Sequence, residues 1–383
     1  MAPPPSTEDR LSRLRGPIAP QAYTARKITA LTANPGCARR AVLDAAGVDK
    51  NALAARVGFD ARFGQSPFAI SRGNAFEELV KADGYAALFT LLRTELGVPV
   101  REAGVADLNT VGQNPDLKLR ASETRRLLRR VTDGTDERLI LDHPVLTLQV
   151  AGQTAYLEPD AVTHRIGGRF YIAEIKSFAA IDGQADPGKV AEAAKQAAVY
   201  VIALRQTLLA VGLDAQAAAD AVAHQFLLIC PKDFANQPYG RLVDLRQKLD
   251  AIEFQLGRLD RAEDLAAMLP ADASFDLSVG RDGRPARTGR ELADALDDLT
   301  AAYSPSCLDF CELAQYCRDQ ATTACEPARL GTSVRNELPG IDSTRTALGL
   351  IDAALEPDPT QADIVERLRA ADRLRARRIG GAA

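Results

Sequence analysis

The chain has 383 residues, 46% of them hydrophobic and 26% charged, which excludes a wholly disordered polypeptide and allows one large elaborated domain or two ordinary ones. Its 47 lysines and arginines against 51 aspartates and glutamates leave a net charge of −4, so a general basic coat is excluded. The arginines cluster locally instead, which suits a groove for an acidic polymer better than a coat. Residues 1–17 are rich in Pro and Arg without the apolar run of a signal peptide. The best apolar run, 197–204, is cut by Arg205 and is too short to cross a membrane. These features predict a cytoplasmic protein with no membrane partner.

In chain order, residues 1–20 read as a flexible arm. Helical patterning dominates 38–96, with Gly73 opening a strong helix through Glu77 and Val80. A basic amphipathic helix is predicted over 117–131, carrying Arg120, Arg125, Arg126, Arg129 and Arg130 as a candidate phosphate-contacting face. The period then changes, and 145–150, 155–162 and 169–177 read as three short strands with turns at Gly152-Gln153 and Gly167-Gly168. An alanine-rich helix follows over 189–211, and then a strand at 225–230 that Pro231 stops. Residues 243–268 are helical again, 275–285 are hairpin-like, and 289–303 form a helix. The tail, 344–378, is two helices split by Pro357 and Pro359, the second crowded with arginine. No internal repeat is present. The expected class is α/β, a mixed central sheet flanked by helices.

The densest chemistry lies in Pro159-Asp160 and Glu174-Ile175-Lys176. Side chains alternate along a strand, so Glu174 and Lys176 share one face and Ile175 takes the other. Two carboxylates can hold a hard divalent cation, which activates water and neutralises charge on a scissile phosphate, while an ammonium stabilises the charge that develops. Register decides whether they meet. A regular two-residue turn at Gly167-Gly168 sets Asp160 opposite Ile175, on the wrong face. A three-residue loop of Ile166, Gly167 and Gly168, or a bulge near Pro159, sets it opposite Glu174. The alternative is a solvated strand face with an incidental Glu–Lys pair.

These residues resemble the PD-(D/E)XK nuclease superfamily, in particular its RecB-like branch. That branch adds a glutamine and a tyrosine four apart on the next helix, matched here by Gln196 and Tyr200. Its earlier helix carries a glycine and, four residues on, a histidine or glutamate that reaches the metal; Gly73 and Glu77 match, with glutamate in place of the commoner histidine. The resemblance implies a restriction-endonuclease-like core at about 70–235 within a nuclease domain of 21–335, followed by a helical, Arg-rich tail over 336–383. It implies Mg²⁺ or Mn²⁺ held by Asp160, Glu174, the Ile175 carbonyl and Glu77, with Lys176 positioning the attacking water and Gln196 and Tyr200 orienting it. The implied activity is hydrolysis of DNA, at single strands or ends, in repair or antiviral defence, beside a helicase or a defence-complex protein. Two alternatives stay open: a non-cleaving DNA-binding or scaffolding subunit, and an RNA-directed nuclease of the same metal chemistry.

Six cysteines stand at 37, 230, 307, 311, 317 and 325, and in a cytosolic chain such a group points to metal rather than to disulfides. Cys230 ends an apolar run and reads as a buried strand residue. Cys37, followed by Arg39 and Arg40, together with Cys307, Cys311 and Cys317 is similar to the iron–sulfur members of the same branch, which include the CRISPR-associated cluster nuclease and AddB nuclease domains. The resemblance implies a structural 4Fe-4S cluster on those four thiolates. Three residues separate Cys307 from Cys311 where that branch usually has two, and Cys325 is a spare. Tetrahedral Zn²⁺ is the rival occupant.

Two decoys complete the reading. Residues 183–190 nearly spell a phosphate-binding loop, but Val190 stands where Ser or Thr must hold magnesium. The histidines at 143, 164 and 224 have no ligand spacing and read as structural or exposed, with His164 nearest the site in sequence.

Overall fold

The computed structural model of the protein describes residues 7–60, 67–97, 104–111, 116–136, 140–150, 152–233, 235–259 and 262–380. The chain groups into two compact units, the first made of Met1–Pro20, Gly36–Phe63 and Asp264–Ala383, the second of Gln21–Pro35 and Gly64–Glu263. These boundaries cross those expected from the sequence: the tail and the cysteine segment share a unit with the N-terminal arm. No helix among the described residues is long and apolar enough to cross a membrane.

The second unit is mixed α/β. Its strands in chain order are β1 (Val105–Asp107), β2 (Ile140–Asp142), β3 (Leu146–Val150), β4 (Gln153–Leu157), β5 (Ala161–Ile166), β6 (Arg169–Ile175), β7 (Ala180–Ile181), β8 (Gln184–Ala185), β9 (Val222–Pro231) and β10 (Pro238–Asp244). Six form one sheet in the order β1-β2-β5-β6-β9-β10, while β3-β4 and β7-β8 are separate ribbons. The strand expected at 155–162 is therefore two strands in two sheets, broken at Glu158-Pro159-Asp160, where Pro159 has no N–H to give a ladder. Pro238–Asp244 was expected to be partly helix and partly unassigned; it pairs antiparallel with β9 as an edge strand.

β6 and β9 run parallel, joined by a crossover containing the Pro187–Ala210 helix. That helix begins where Asp186 accepts a hydrogen bond from the Lys189 N–H and Pro187 takes the first turn. The same cap fills the helix start that the near phosphate-loop pattern suggested. Ala193, Ala194, Ala197 and Ala198 are buried, so small side chains line much of its packed face. Across the sheet, Phe76, Val80, Leu88, Phe89 and Leu92 from the Pro67–Leu96 helix pack on Ala161, Ala173, Ile175, Leu227 and Ile229. Within the described residues that helix starts before Gly73, at Pro67, and it breaks at Ala82–Tyr85, where Asp83, Gly84 and Tyr85 take φ of 51°, 65° and 67°. Glu77 and Lys81 thus stand on its last two turns before the break.

The first unit is helical. The arm is not loose from Thr7 onward: Thr7–Arg15 is a helix with Leu11 and Leu14 buried, and the Phe275 N–H bonds to the Leu14 carbonyl at 2.6 Å. Residues 1–6 of the expected arm lie outside the described residues. The tail forms the helices Thr344–Ile351 and Ala362–Gly380, split as the prolines predict, over a small core of Leu338, Ile341, Ala347, Leu350, Ile364 and Val365.

Candidate active site

The turn between β5 and β6 has two residues, Gly167 and Gly168, with φ of 59° and 85°, a conformation open to glycine. A plain hairpin of that kind would have misplaced Asp160. The register shifts between Thr163 and Ile166, however: Ile166 pairs with Arg169, yet Thr163 pairs with Tyr171 and Ala161 with Ala173. One extra residue is absorbed in β5, so Asp160, just before Ala161, comes opposite Glu174. The expected three-residue loop is absent, and the bulge lies in the hairpin arm rather than beside Pro159. Its effect on register is the one the site requires.

The five residues of the predicted core meet. Lys176 Nζ donates to Glu174 Oε2 at 2.6 Å and to Gln196 Oε1 at 3.2 Å, and Gln196 Nε2 donates to the Tyr200 oxygen at 3.0 Å. The lysine can only donate, so it fixes which end of the Gln196 amide faces it, and the i,i+4 spacing delivers the other end to Tyr200. Asp160 Oδ2 accepts from the Ile175 N–H at 2.6 Å. The Ile175 side chain meanwhile points into the core on the opposite face, as alternation requires. Glu174 is fully buried, and its Oε1 has no hydrogen-bond partner among the described residues.

Electrostatics follow from that burial. Desolvation raises the Glu174 carboxyl to about 7, against the pull of Lys176 and with further help from Asp160. Burial likewise raises Asp160, with Lys176 opposing. Burial alone would loosen the Lys176 proton, but Glu174 and Asp160 outweigh it and the ammonium is held more firmly than in water. Lys176 is therefore a fixed cation and not a base. Tyr200 is pushed well up, chiefly by burial, and stays a phenol. Fully buried Glu174 beside partly buried Asp160 resists double ionisation, which Lys176 only partly offsets.

No protein-family model matches the chain, and no curated protein matches it. Among the described residues, no three His, Cys, Asp or Glu side chains gather closely enough to hold a metal ion. A Mg²⁺-type ion needs fewer, since one or two carboxylates suffice when water and substrate phosphate complete its shell. The empty Oε1 of Glu174, beside Asp160, fits such an ion.

Glu77 has two partners that the sequence did not anticipate. Its Oε1 takes Lys81 Nζ at 2.5 Å and lies 3.2 Å from His143 Nε2. Burial would raise its carboxyl, but hydrogen bonds from His143 and Lys81 hold it down at about 2. His143 Nδ1 lies 3.1 Å from Glu158 Oε1, and these two carboxylates, Glu158 first, raise the ring to about 10. Arg120 is buried at 3% exposure, bonding Glu158 Oε2 at 3.0 Å and the His143 carbonyl at 2.7 Å. It braces the site from inside and is no phosphate contact, whereas Arg126 and Arg130 of the same Leu117–Thr132 helix remain exposed. Lys81, Asp142 and Glu158 carry no signal singled out in the sequence, and His143 was read there as structural or exposed. Lys81 could have been found, lying one turn beyond Glu77. His143 could not, because its place depends on β2 pairing with β5. The side chain of His164 lies outside the described residues.

Cys230 is buried in β9, as expected, whereas the other five cysteines belong to the first unit and not to the unit that carries Asp160 and Glu174, with which the sequence grouped them in one domain. Arg39 Nη1 donates to Cys317 Sγ at 3.1 Å and Arg39 Nη2 to the Leu296 carbonyl at 2.7 Å. Arg40 stacks on Phe310 and bonds its carbonyl at 3.2 Å, feeling the fields of Cys311 and Cys37. Cys317 feels the fields of Cys37 and Cys307, and Cys311 that of Cys317, but among the described residues no three of these thiols gather closely enough to hold a metal ion. Burial raises Cys311 to about 12, so the metal-free thiol stays protonated. Cys325 ends the Ala314–Ala324 helix in the left-handed conformation and bonds the Thr322 carbonyl.

Proposed function

We propose that this chain is a metal-dependent deoxyribonuclease of the cytoplasm that hydrolyses phosphodiester bonds in single-stranded DNA or at DNA ends, on a restriction-endonuclease-like core of the RecB-like PD-(D/E)XK kind. One observation carries the reading: the fully buried Glu174 carboxylate leaves Oε1 unpartnered beside Asp160, with Lys176 fixed as a cation at 2.6 Å from Oε2. Structure built only for stability pairs such an oxygen or replaces it.

Asp160, Glu174 and the Ile175 carbonyl are the proposed ligands of Mg²⁺ or Mn²⁺, with Glu77 acting directly or through water. Such an ion supplies an activated water and charge neutralisation at the phosphate. Lys176 keeps its proton, so its role is to position that water and stabilise negative charge on the phosphoryl oxygens. Gln196 fixes the direction of the ammonium, and Tyr200 fixes Gln196. The four thiols of Cys37, Cys307, Cys311 and Cys317 are proposed to hold a structural 4Fe-4S cluster, with Zn²⁺ as the alternative that metal analysis separates. A helicase or a defence-complex protein is the proposed partner.

The test is cleavage of end-labelled single-stranded DNA in Mn²⁺ by the full chain and by Lys176→Ala, with labelled RNA in parallel. The wild type should cut DNA and the variant should be slower by about 10²- to 10³-fold. Equal cutting by both would reject the site. Tight binding without cutting by either would replace the nuclease with a non-cleaving DNA-binding or scaffolding subunit, and preferential cutting of RNA would change the substrate.

A further inference from the structure

We propose that Lys81 and His143 are positioning residues for the metal site, a paired brace that orients Glu77 and fixes the backbone carrying Asp160. The proposal rests on the nuclease reading of the site and adds a second layer to it.

Four geometric facts support it. Lys81 Nζ reaches Glu77 Oε1 at 2.5 Å, Asp142 Oδ1 at 2.6 Å and the Asp160 carbonyl at 3.3 Å, so one ammonium ties the helix to both strands. The His143 ring spans Glu77 and Glu158 at 3.2 and 3.1 Å, and its backbone N–H donates to the same Asp160 carbonyl at 3.3 Å. Both side chains meet Glu77 on Oε1, and Lys81 Nζ lies 3.0 Å from His143 Nε2, so the three groups form one cluster. Finally, Asp142 is held from its far side by the Tyr85 hydroxyl at 2.7 Å, and Tyr85 belongs to the left-handed break that ends the helix just after Lys81.

The backbone carries its own sign of specialisation. His143 sits at φ +47°, a conformation that few non-glycine residues adopt, and the Arg120 bond to its carbonyl holds it there. Without the brace, Glu77 and the Asp160 corner would keep their places in the sequence but not their aim. Partners of this outer kind orient metal ligands, and their loss typically weakens metal affinity by about 10- to 100-fold.

The experiment is calorimetric titration of MnCl₂ alone into the full-length wild type, Lys81→Met, Lys81→Arg, His143→Gln and Asp160→Asn, each checked for cooperative thermal unfolding in chelator. The wild type should bind, Asp160→Asn should lose binding, and Lys81→Met and His143→Gln should weaken it by about 10- to 100-fold. Lys81→Arg should recover at least half of that loss on a logarithmic scale, which a merely structural defect would not. Should Lys81→Met fail to fold, His143→Gln decides alone. Binding of equal strength in the wild type and Asp160→Asn would overturn the nuclease site itself. Binding lost in Asp160→Asn but unchanged in folded Lys81→Met and His143→Gln would overturn the brace alone.

Discussion

Replacing Glu174 with glutamine should make the metal-free protein more stable while removing its hold on a metal. The carboxyl is fully buried and raised from 4.5 to about 7, so ionising it in the folded state costs at most about 3 kcal/mol. Glutamine is nearly isosteric and carries no charge. Its amide oxygen still accepts from Lys176, more weakly, which takes back about 1 kcal/mol. A net gain of about 1 to 2 kcal/mol remains at about pH 8. The sign follows from the raised value: the folded state holds its proton longer than the unfolded one. The penalty is therefore absent below pH 4.5 and complete above about 7. Urea unfolding in chelator, at about pH 8 and again near pH 4.5, reads this directly. The variant should unfold at higher urea at the first pH and lose that advantage at the second. Mn²⁺ should then raise the midpoint of the wild type alone. A variant less stable than the wild type at the higher pH would refute the claim that this carboxylate is strained in wait for a cation.

Three further outcomes are expected. His143, raised from 6.5 to about 10 chiefly by Glu158 and then Glu77, contributes stability that is complete below pH 6.5 and is lost as pH rises through about 10. The unfolding difference between wild type and His143→Gln should shrink over that window, and a constant difference would deny the charged pairings. In the first unit, Lys50 and Asp44 are buried at 3% and 4% exposure and paired, with Arg40 on Asp44 at 3.2 Å. Lys50→Met should cost about 3 kcal/mol in chemical unfolding, because buried Asp44 then keeps only Arg40 and Glu312 loses the ammonium 3.7 Å from it. Cys317→Ser should remove bound metal measured by elemental analysis, together with a broad visible absorption band if the occupant is iron–sulfur; unaltered metal content would dissociate Cys317 from any metal site.

The sequence disclosed those parts of the site whose geometry is local. Gln196 and Tyr200 meet because residues four apart share a helix face, and Glu174 and Lys176 share a strand face by alternation. The crossover between β6 and β9 was likewise legible in an alanine-rich helix between two apolar strands. Register was only half legible. The paired glycines gave the turn, but no local motif marks the compensating bulge at 163–166. The division into units was hidden because the first unit is assembled from three separated stretches. Arg120 misled most instructively. Its helix is amphipathic and basic, and the arginine that seemed available to phosphate turns inward to Glu158, a residue 38 positions away. Helical periodicity gives the face a residue occupies and cannot say which charged residue waits beneath it.

The central claim is that Glu174 Oε1 and Asp160 receive one divalent cation. Anomalous diffraction from crystals of the full chain grown with Mn²⁺ tests it at the atoms concerned. A manganese peak in contact with Glu174 Oε1 and an Asp160 oxygen is expected, lost in Glu174→Gln. Manganese bound only elsewhere, with the Glu174 oxygen still unpartnered, would contradict it.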